Sequence, residues 1–299
     1  MGLSITSNYA GKDAGIFISA ALKSAKSLEF LTVMENVKYK ANVKKLAGAS
    51  LIADATCDFT DAGTLTLTEK VLTPKALQIN VDLCKKDLLA SWEANQMGAG
   101  AWNRESSDFN AYVMSYLAAS ISDGIETSIW SGADATGGQF EGFLTATTGQ
   151  FAVDGTVGTS TATAAYTALN IIENLQTLVA DIPAAVYGTE DLHIYMNQKT
   201  YRFYVSAIST LGYVNAYNMN GDYAPMFEGV KLAVTNGMPD NQMVAAQKSN
   251  LFFGTDLLSD VEVKFLDMGA LDGSDNLRVI AKYTGGVQLG VGADITHQS

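Results

Sequence analysis

The 299-residue sequence predicts an α+β fold with segregated strands and helices, on three observations. Two long runs, one opening at Leu31 and one spanning Thr64 to Leu83, alternate apolar and polar residues with period two. A stretch of about 25 residues from Ser106 repeats its apolar residues at three and four. The chain closes on strand-like VEVKFLDM and NLRVIAKYTGGVQLGV, and nowhere shows the regular βαβα alternation of a dinucleotide-binding sheet.

Residues 1–28 mix Gly, Ala and Ser with few large apolar groups and read as an arm with a short helix near Ile16 to Lys26. From Leu31, the residues Leu31, Val33, Val37, Tyr39, Ala41 and Val43 share one face, and Lys38, Lys40 and Lys44 the other. The Gly- and Asp-rich AGASLIADATCDFTDAG then makes a broad tip. In TLTLTEKVLTPKALQINVDL the odd positions carry Leu65, Leu67, Val71, Leu77, Ile79, Val81 and Leu83. As one strand it would run about 65 Å at roughly 3.3 Å per residue, against an ordinary strand of about 5 to 6 residues. Two such limbs form a protruding hairpin, and a two-stranded ribbon is marginal alone in water. Its apolar face needs a cover that nothing adjacent in sequence supplies.

CKKDLLASWEANQMG reads as a helix ending at Gly98. The longer helix that follows has Ser106, Ser107 or Asp108 as its cap, Phe109, Tyr112, Val113, Tyr116, Leu117, Ile121, Ile125 and Ile129 along its apolar stripe, and Gly132 as a left-handed stop. A third helix places Leu169, Ile172, Leu175 and Val179 on one face, with Pro183 just past its end. LHIYMN is a short buried strand, and NQKTYRFYVSAIS a helix capped by Asn197. Short strands separated by turns fill Gly229 to Phe253.

Several function classes are disfavoured. The formal charge of −12 suits no protein whose main task is gripping nucleic-acid phosphates. The charge is uneven: residues 1–90 hold 11 Lys and 9 acids, and residues 91–299 hold 8 Lys or Arg and 22 acids. Cys57 and Cys84 form no Cys-x-x-Cys, and His193 and His297 have no second ligand beside them. Neither a P-loop nor G-x-G-x-x-G occurs, and no nucleophile elbow. LDGSDN lacks the spacing and terminal Glu of a calcium loop and reads as a turn between strands. The aromatic run with Tyr201, Phe203, Tyr204, Tyr213, Tyr217 and Tyr223 reads either as core packing or as a sticky surface. No catalytic, cofactor-binding or metal-binding residue is assigned, and the chain is not expected to be an enzyme. The N-terminus lacks the basic region and apolar block of a signal peptide.

The ordered set of arm, hairpin, long helix with Glu126, Trp130 and Gly132 at its end, the EGFL segment from Phe140 to Leu144, a mixed insertion and returning strands resembles the major capsid proteins of tailed double-stranded-DNA bacteriophages, the Hong Kong 97 fold. The strings NYAGKDAG, IADATCDFT, LTLTEKVLTPKALQINVDLCKKDLLASWEA and FFGTDLLSD look like capsid proteins from phages of Bacteroidetes hosts. The resemblance implies residues 1–28 as N-terminal arm, 29–82 as extended loop, 83–141 with 255–299 as a peripheral domain around the long spine helix, and 142–254 as an axial domain.

It further implies self-assembly, through pentamers and hexamers, into an icosahedral head enclosing double-stranded DNA. The virion capsid would be assembled in the bacterial host cytoplasm, with a portal and separate scaffold, protease or decoration proteins as partners and no membrane. The extended loop would lie on a neighbouring subunit, making Lys38, Lys40, Lys44, Lys45, Leu65, Leu67 and Val71 the expected inter-subunit contact, the lysines meeting an acidic body. The same lysines also read as solvated gatekeepers that stop edge-to-edge pairing. Lys70 and Lys75 suit a covalent cross-link by position, but neither matches that motif and none is expected. An encapsulin-type nanocompartment shell, an α+β hydrolase and a β-rich tail protein are the alternatives.

Overall fold

The computed structural model describes residues 25–49, 51, 52, 54, 55, 57, 63–84, 107–210, 225–256, 262–270 and 272–299. Residues 16–24 of the expected arm helix, 85–98 of the helix after Cys84, the cap position 106 and the aromatic positions 213, 217 and 223 lie outside them. In chain order the elements are β1 (Thr32–Met34), β2 (Ala41–Ala49), β3 (Thr64–Leu72), β4 (Lys75–Cys84), α1 (Ser107–Ser131), α2 (Gln150–Asp154), β5 (Gly158–Ser160), α3 (Ile171–Ala180), β6 (Leu192–Asn197), α4 (Gln198–Thr210), β7 (Met226–Phe227), β8 (Val230–Thr235), β9 (Met243–Gln247), β10 (Leu251–Gly254), β11 (Glu262–Asp267), β12 (Asn276–Leu289) and β13 (Thr296–Gln298).

The long alternating run from Thr64 is two strands, not one. Proline has no N–H to give a ladder, and the chain breaks at Thr73–Pro74 between β3 and β4. The alternation passes through the break unchanged, so odd positions meet opposite fates. Leu65, Leu67 and Val71 on β3 are exposed, whereas Leu77 and Leu83 on β4 are buried. All ten residues of β4 pair antiparallel with Asn276–Gly285 of β12, and β11 pairs with β12 on its other side. The last four residues of β12 take β10, which carries β1 in parallel. The expected first limb is likewise divided. Leu31 and Val37 are buried, the chain turns at Asn36 with φ 62°, and β2 begins only at Ala41. Of the span 29–82, therefore, only Ala41–Leu72 stands apart as a two-stranded sheet, β2 with β3.

The second sheet has six strands in the order β5-β13-β9-β6-β8-β7. Its strand β6 is buried on both faces, the reason LHIYMN is almost continuously apolar. Ile194 and Met196 face α3 and α4, with Leu175, Leu178 and Tyr204. Tyr195 faces the other way, to the core shared with the first sheet. Strand pairing also redraws the expected unit boundaries. Leu251–Gly254 lies in the first sheet and Thr296–Gln298 in the second, so the chain crosses between the units once more than the divisions at 142, 254 and 299 imply.

Helix α1 joins the two. Leu117 packs with Leu83, Leu277 and Val279 at one end, and Ile129 and Trp130 enter the shared core at the other. The Trp130 ring lies 5.4 Å from that of Tyr195 and 5.7 Å from that of Phe143, centroid to centroid. Tyr116, expected on the apolar stripe, is exposed. Gly132 does not end the helix in the left-handed conformation, since its φ is not positive. It is needed because a Cβ there would come within 2.3 Å of the Phe140 carbonyl oxygen. Helix α3 starts at Ile171, after Asn170 Oδ1 accepts from the Thr167 N–H at 2.8 Å. Leu169 thus falls in the preceding turn, 97% exposed, and the buried stripe is Ile171, Leu175, Leu178 and Val179. Asn197 does cap α4, accepting from the Thr200 N–H at 2.7 Å.

A fully buried carboxylate ties three distant segments together. Glu126 on α1 accepts from the Ser27 N–H (3.0 Å) and hydroxyl (2.8 Å), and from the N–H groups of Asn236 (2.8 Å) and Gly237 (2.9 Å). The Ser27 hydroxyl in turn accepts from Trp130 Nε1 at 2.7 Å.

Candidate functional site

The β2–β3 ribbon is the feature the rest of the chain leaves unexplained. Its register pairs Ala41 with Leu72, Val43 with Lys70, Lys45 with Thr68 and Ala47 with Thr66 on one face, and Asn42 with Val71, Lys44 with Glu69, Leu46 with Leu67 and Gly48 with Leu65 on the other. The first face turns to the body, with Leu72 buried and Val43, Lys45 and Lys70 half-buried. The second carries Leu46, Leu65 and Leu67, each 63–65% exposed, and Val71 at 41%. Toward the tip, Leu51 and Ile52 are exposed as well. Isolated apolar residues on a surface are ordinary, but Leu46, Leu65 and Leu67 lie side by side on one face of the ribbon, with Val71 beyond the Lys44–Glu69 pair, and an exposed apolar cluster of this kind suits an association surface.

The ribbon's root is held firmly. Leu72 fills the niche over Gly254, where a Cβ would lie 2.3 Å from its Cδ2. Gln288 Nε2 donates to the Val71 carbonyl at 3.0 Å. Lys70 Nζ is ion-paired with Asp154 at the end of α2, and beyond the break Lys75 Nζ reaches Asp134 Oδ1 at 2.7 Å. Burial pushes the Asp154 carboxyl up, but the Lys70 ammonium and the hydroxyl and N–H of Thr156 together outweigh it and hold the group below the ordinary 3.8. A depressed carboxylate stabilises the fold above its unfolded pKa and loses that contribution as pH falls through the folded one. The stability difference between the chain and Asp154→Asn is thus expected to stay constant from pH 7 to about 5, to shrink as pH falls past 3.8, and to be lost only once pH has passed through the lower folded value, as read by thermal unfolding across pH.

Of the expected contact residues, Lys44, Leu65, Leu67 and Val71 share the exposed face. Lys45 lies on the opposite, body-facing side, because neighbours on a strand alternate. Lys38 and Lys40 are exposed in the segment leading to β2, with Lys40 Nζ 5.1 Å from the centre of the Tyr39 ring. Leu46 belongs to the same row as Leu67 and was not anticipated. Its even position runs against the phase set by Leu31–Val43, and only the cross-strand register reveals it. Lys70 and Lys75 are both engaged in pairs within the chain.

The other sequence candidates have structural places. His193 Nδ1 lies 2.8 Å from the Asp191 carbonyl oxygen. His297 sits on β13 beside the Phe151 ring, and burial lowers its pKa. Asp272 Oδ1 accepts from the N–H (2.9 Å) and hydroxyl (2.6 Å) of Ser274, an Asx-type turn. Tyr204 is buried and meets Phe227 edge-on. Among the described residues, no cluster of three or more His, Cys, Asp or Glu is placed to hold a metal ion, and no helix is long and apolar enough to cross a membrane.

Residues 102–260, just over half of the chain, match the model of the phage capsid family. Solved structures align over nearly the whole length. The capsid of an empty GTA particle has a TM-score of 0.63 at 14% identity, covering 99% of this chain and 94% of that one. Gordonia phage Cozz has 0.62 at 9% (99% and 91%), and the capsid of the Myoviridae phage XM1 has 0.61 at 14% (99% and 98%). At these identities the likeness is one of fold. A search of curated proteins finds no match.

Proposed function

The chain belongs to the phage capsid family and is a structural protein of the virion shell, and on that premise we propose that the Ala41–Leu72 ribbon is its connector, laying its exposed face on a neighbouring copy. The observation that carries this reading is the row Leu46, Leu65, Leu67 and Val71, an apolar surface on a ribbon too thin to bury it alone. Covering each large aliphatic side chain is worth about 1.5–3 kcal/mol. Glu69 lies opposite Lys44 on that face, so the net positive charge comes from Lys38 and Lys40 at its approach, which favour a partner surface drawn from the acidic remainder of the chain, and such complementarity sets register and partner choice more than affinity.

In this reading the sheet around β12 with α1 forms the peripheral unit and the six-stranded sheet with α3 and α4 the axial one. Pentamers and hexamers close an icosahedral head in the host cytoplasm, with portal and any scaffold, protease or decoration proteins as separate chains. Double-stranded DNA is enclosed without sequence-specific grip, since an acidic chain repels phosphates. Neither the encapsulin nor the hydrolase alternative is favoured beside the family match. By negative-stain microscopy the intact chain is expected to form closed particles of uniform size, and a chain with 43–69 replaced by a short Gly-Ser turn to remain folded and single. Closure of the shortened chain into the same particles would rule the ribbon out as connector.

A further inference from the structure

We infer that the Lys70–Asp154 ion pair is a strut that sets the angle at which the ribbon leaves the body. The root of the ribbon is clamped at Val71 and Leu72, by Gln288 Nε2 on the Val71 carbonyl and by the Leu72 side chain over Gly254, and an arm held only there swings about that clamp. Lys70, two residues further out, is the next side chain on the same face, so it lies about 7 Å along the strand from the pivot. The ribbon continues to the Ala49–Thr64 pair, about 27 Å from Leu72 at the same rise. A displacement of 1 Å at Lys70 becomes roughly 4 Å at the far end, a misplacement of about one side chain.

The socket is rigid where the arm is not. Asp154 is 9% exposed in its side chain. One of its oxygens, Oδ1, is engaged by the hydroxyl and N–H of Thr156, and the other, Oδ2, by Lys70. Only a glycine at 292 leaves room for it, since a Cβ there would fall 1.8 Å from Oδ1. The carboxylate is therefore fixed by its own loop, and the ammonium comes to it. Lys75 performs a different task, because β4 is already held along ten residues by β12 and the pair with Asp134 is exposed. A pair with one nearly buried partner is screened by salt far less than a surface pair, so the strut holds at ordinary ionic strength. The inference concerns one chain and stands apart from the docking reading, although the angle decides where on a neighbour the apolar row arrives.

The test is a distance measurement within the chain. Cys57 near the ribbon tip is exposed and takes a nitroxide label. With Cys84 replaced by Ala and a second label at Ser131→Cys, an exposed position at the end of α1, pulsed electron-spin resonance reads the tip-to-body distance. Dilution into excess unlabelled, cysteine-free chain confines the signal to single molecules. Asp154→Asn and Lys70→Met are each expected to widen the distance distribution at least twofold, and Asp134→Asn to leave it unchanged. Equal widths for all three variants and the parent, or equal broadening by Asp134→Asn, would overturn the strut. Because this readout needs no assembly, its failure and that of the connector reading are distinguishable.

Discussion

Leu67→Asp is expected to yield a chain that folds with near-parental stability and does not assemble. Leu67 is 63% exposed and faces Leu46 across the ribbon, so an aspartate there keeps most of its water, and surface substitutions of this kind cost within about 0.5 kcal/mol. If the ribbon is the connector, the balance reverses against a neighbouring copy. The contact loses about 1.5–3 kcal/mol of leucine burial and gains a carboxylate that must be desolvated, a further penalty of several kcal/mol unless it is paired. On the proposed acidic partner surface an aspartate also meets like charge. A loss of about 3 kcal/mol is more than a hundredfold in each pairwise constant, and a shell needs every pair. Sedimentation velocity should show a single chain at concentrations where the parent forms particles, with the denaturant midpoint unchanged. Leu67→Met, apolar and of similar volume, should assemble as the parent does. Particles from Leu67→Asp at the parental concentration would sink the connector reading, and a large fall in its denaturant midpoint would show that the row packs within its own chain.

The ribbon illustrates how far the amino-acid sequence alone carries. Periodicity revealed that an apolar face lacked a cover, because side-chain direction on a strand depends only on parity. It did not reveal where the uncovered part ends. Leu67 and Leu77 share parity and sit in the same alternating run, yet one faces solvent and the other the β12 sheet. The difference lies in a partner strand some two hundred residues away. Pro74 was the local signal of the break, since proline inside a strand demotes it. Lys44 and Lys45 show the same parity rule at short range: adjacent in sequence, they lie on opposite faces of the ribbon.

Elements with a strong local signature were legible. The long helix, the Asn197 cap and the doubly buried β6 each rest on short-range pattern. Leu169 shows the limit of that pattern. It has the spacing of a stripe residue, but the Asn170 side chain closes a turn with Thr167 just before the helix and leaves Leu169 outside it. The Lys70–Asp154 pair was beyond reach, since 84 residues separate its partners and nothing in either neighbourhood distinguishes them from the other lysines and acids.

Glu126→Gln is expected to be the most damaging conservative substitution in the body. The side chain is wholly buried and accepts four hydrogen bonds, from two groups of Ser27 and the backbone N–H groups of Asn236 and Gly237. A glutamine offers one acceptor oxygen and turns an NH₂ toward donors. Whichever way it flips, at least one buried N–H loses its partner and faces another donor. Hydrogen bonds to a charged group are worth about 1.5–3 kcal/mol and an orphaned buried donor costs about 1–3, so a loss of about 3–4 kcal/mol is expected. No repacking relieves it, because Gly237 already lies so close to α1 that a Cβ would stand 1.9 Å from the Glu126 carbonyl oxygen. For a domain of this size the midpoint of thermal unfolding should fall by about 6–15 °C. Ser27→Ala removes only the hydroxyl shared by Glu126 and Trp130, and should cost less, about 1–3 kcal/mol. A Glu126→Gln chain within 1 kcal/mol of the parent in denaturant titration would mean that the four donors find other acceptors and that Glu126 is not what ties the Ser27 turn and the Asn236–Gly237 loop to the helix. If the tie is as described, the variant also loosens the two sheets relative to each other, and amide exchange should rise at Ser27, Asn236 and Gly237 before it rises along β12.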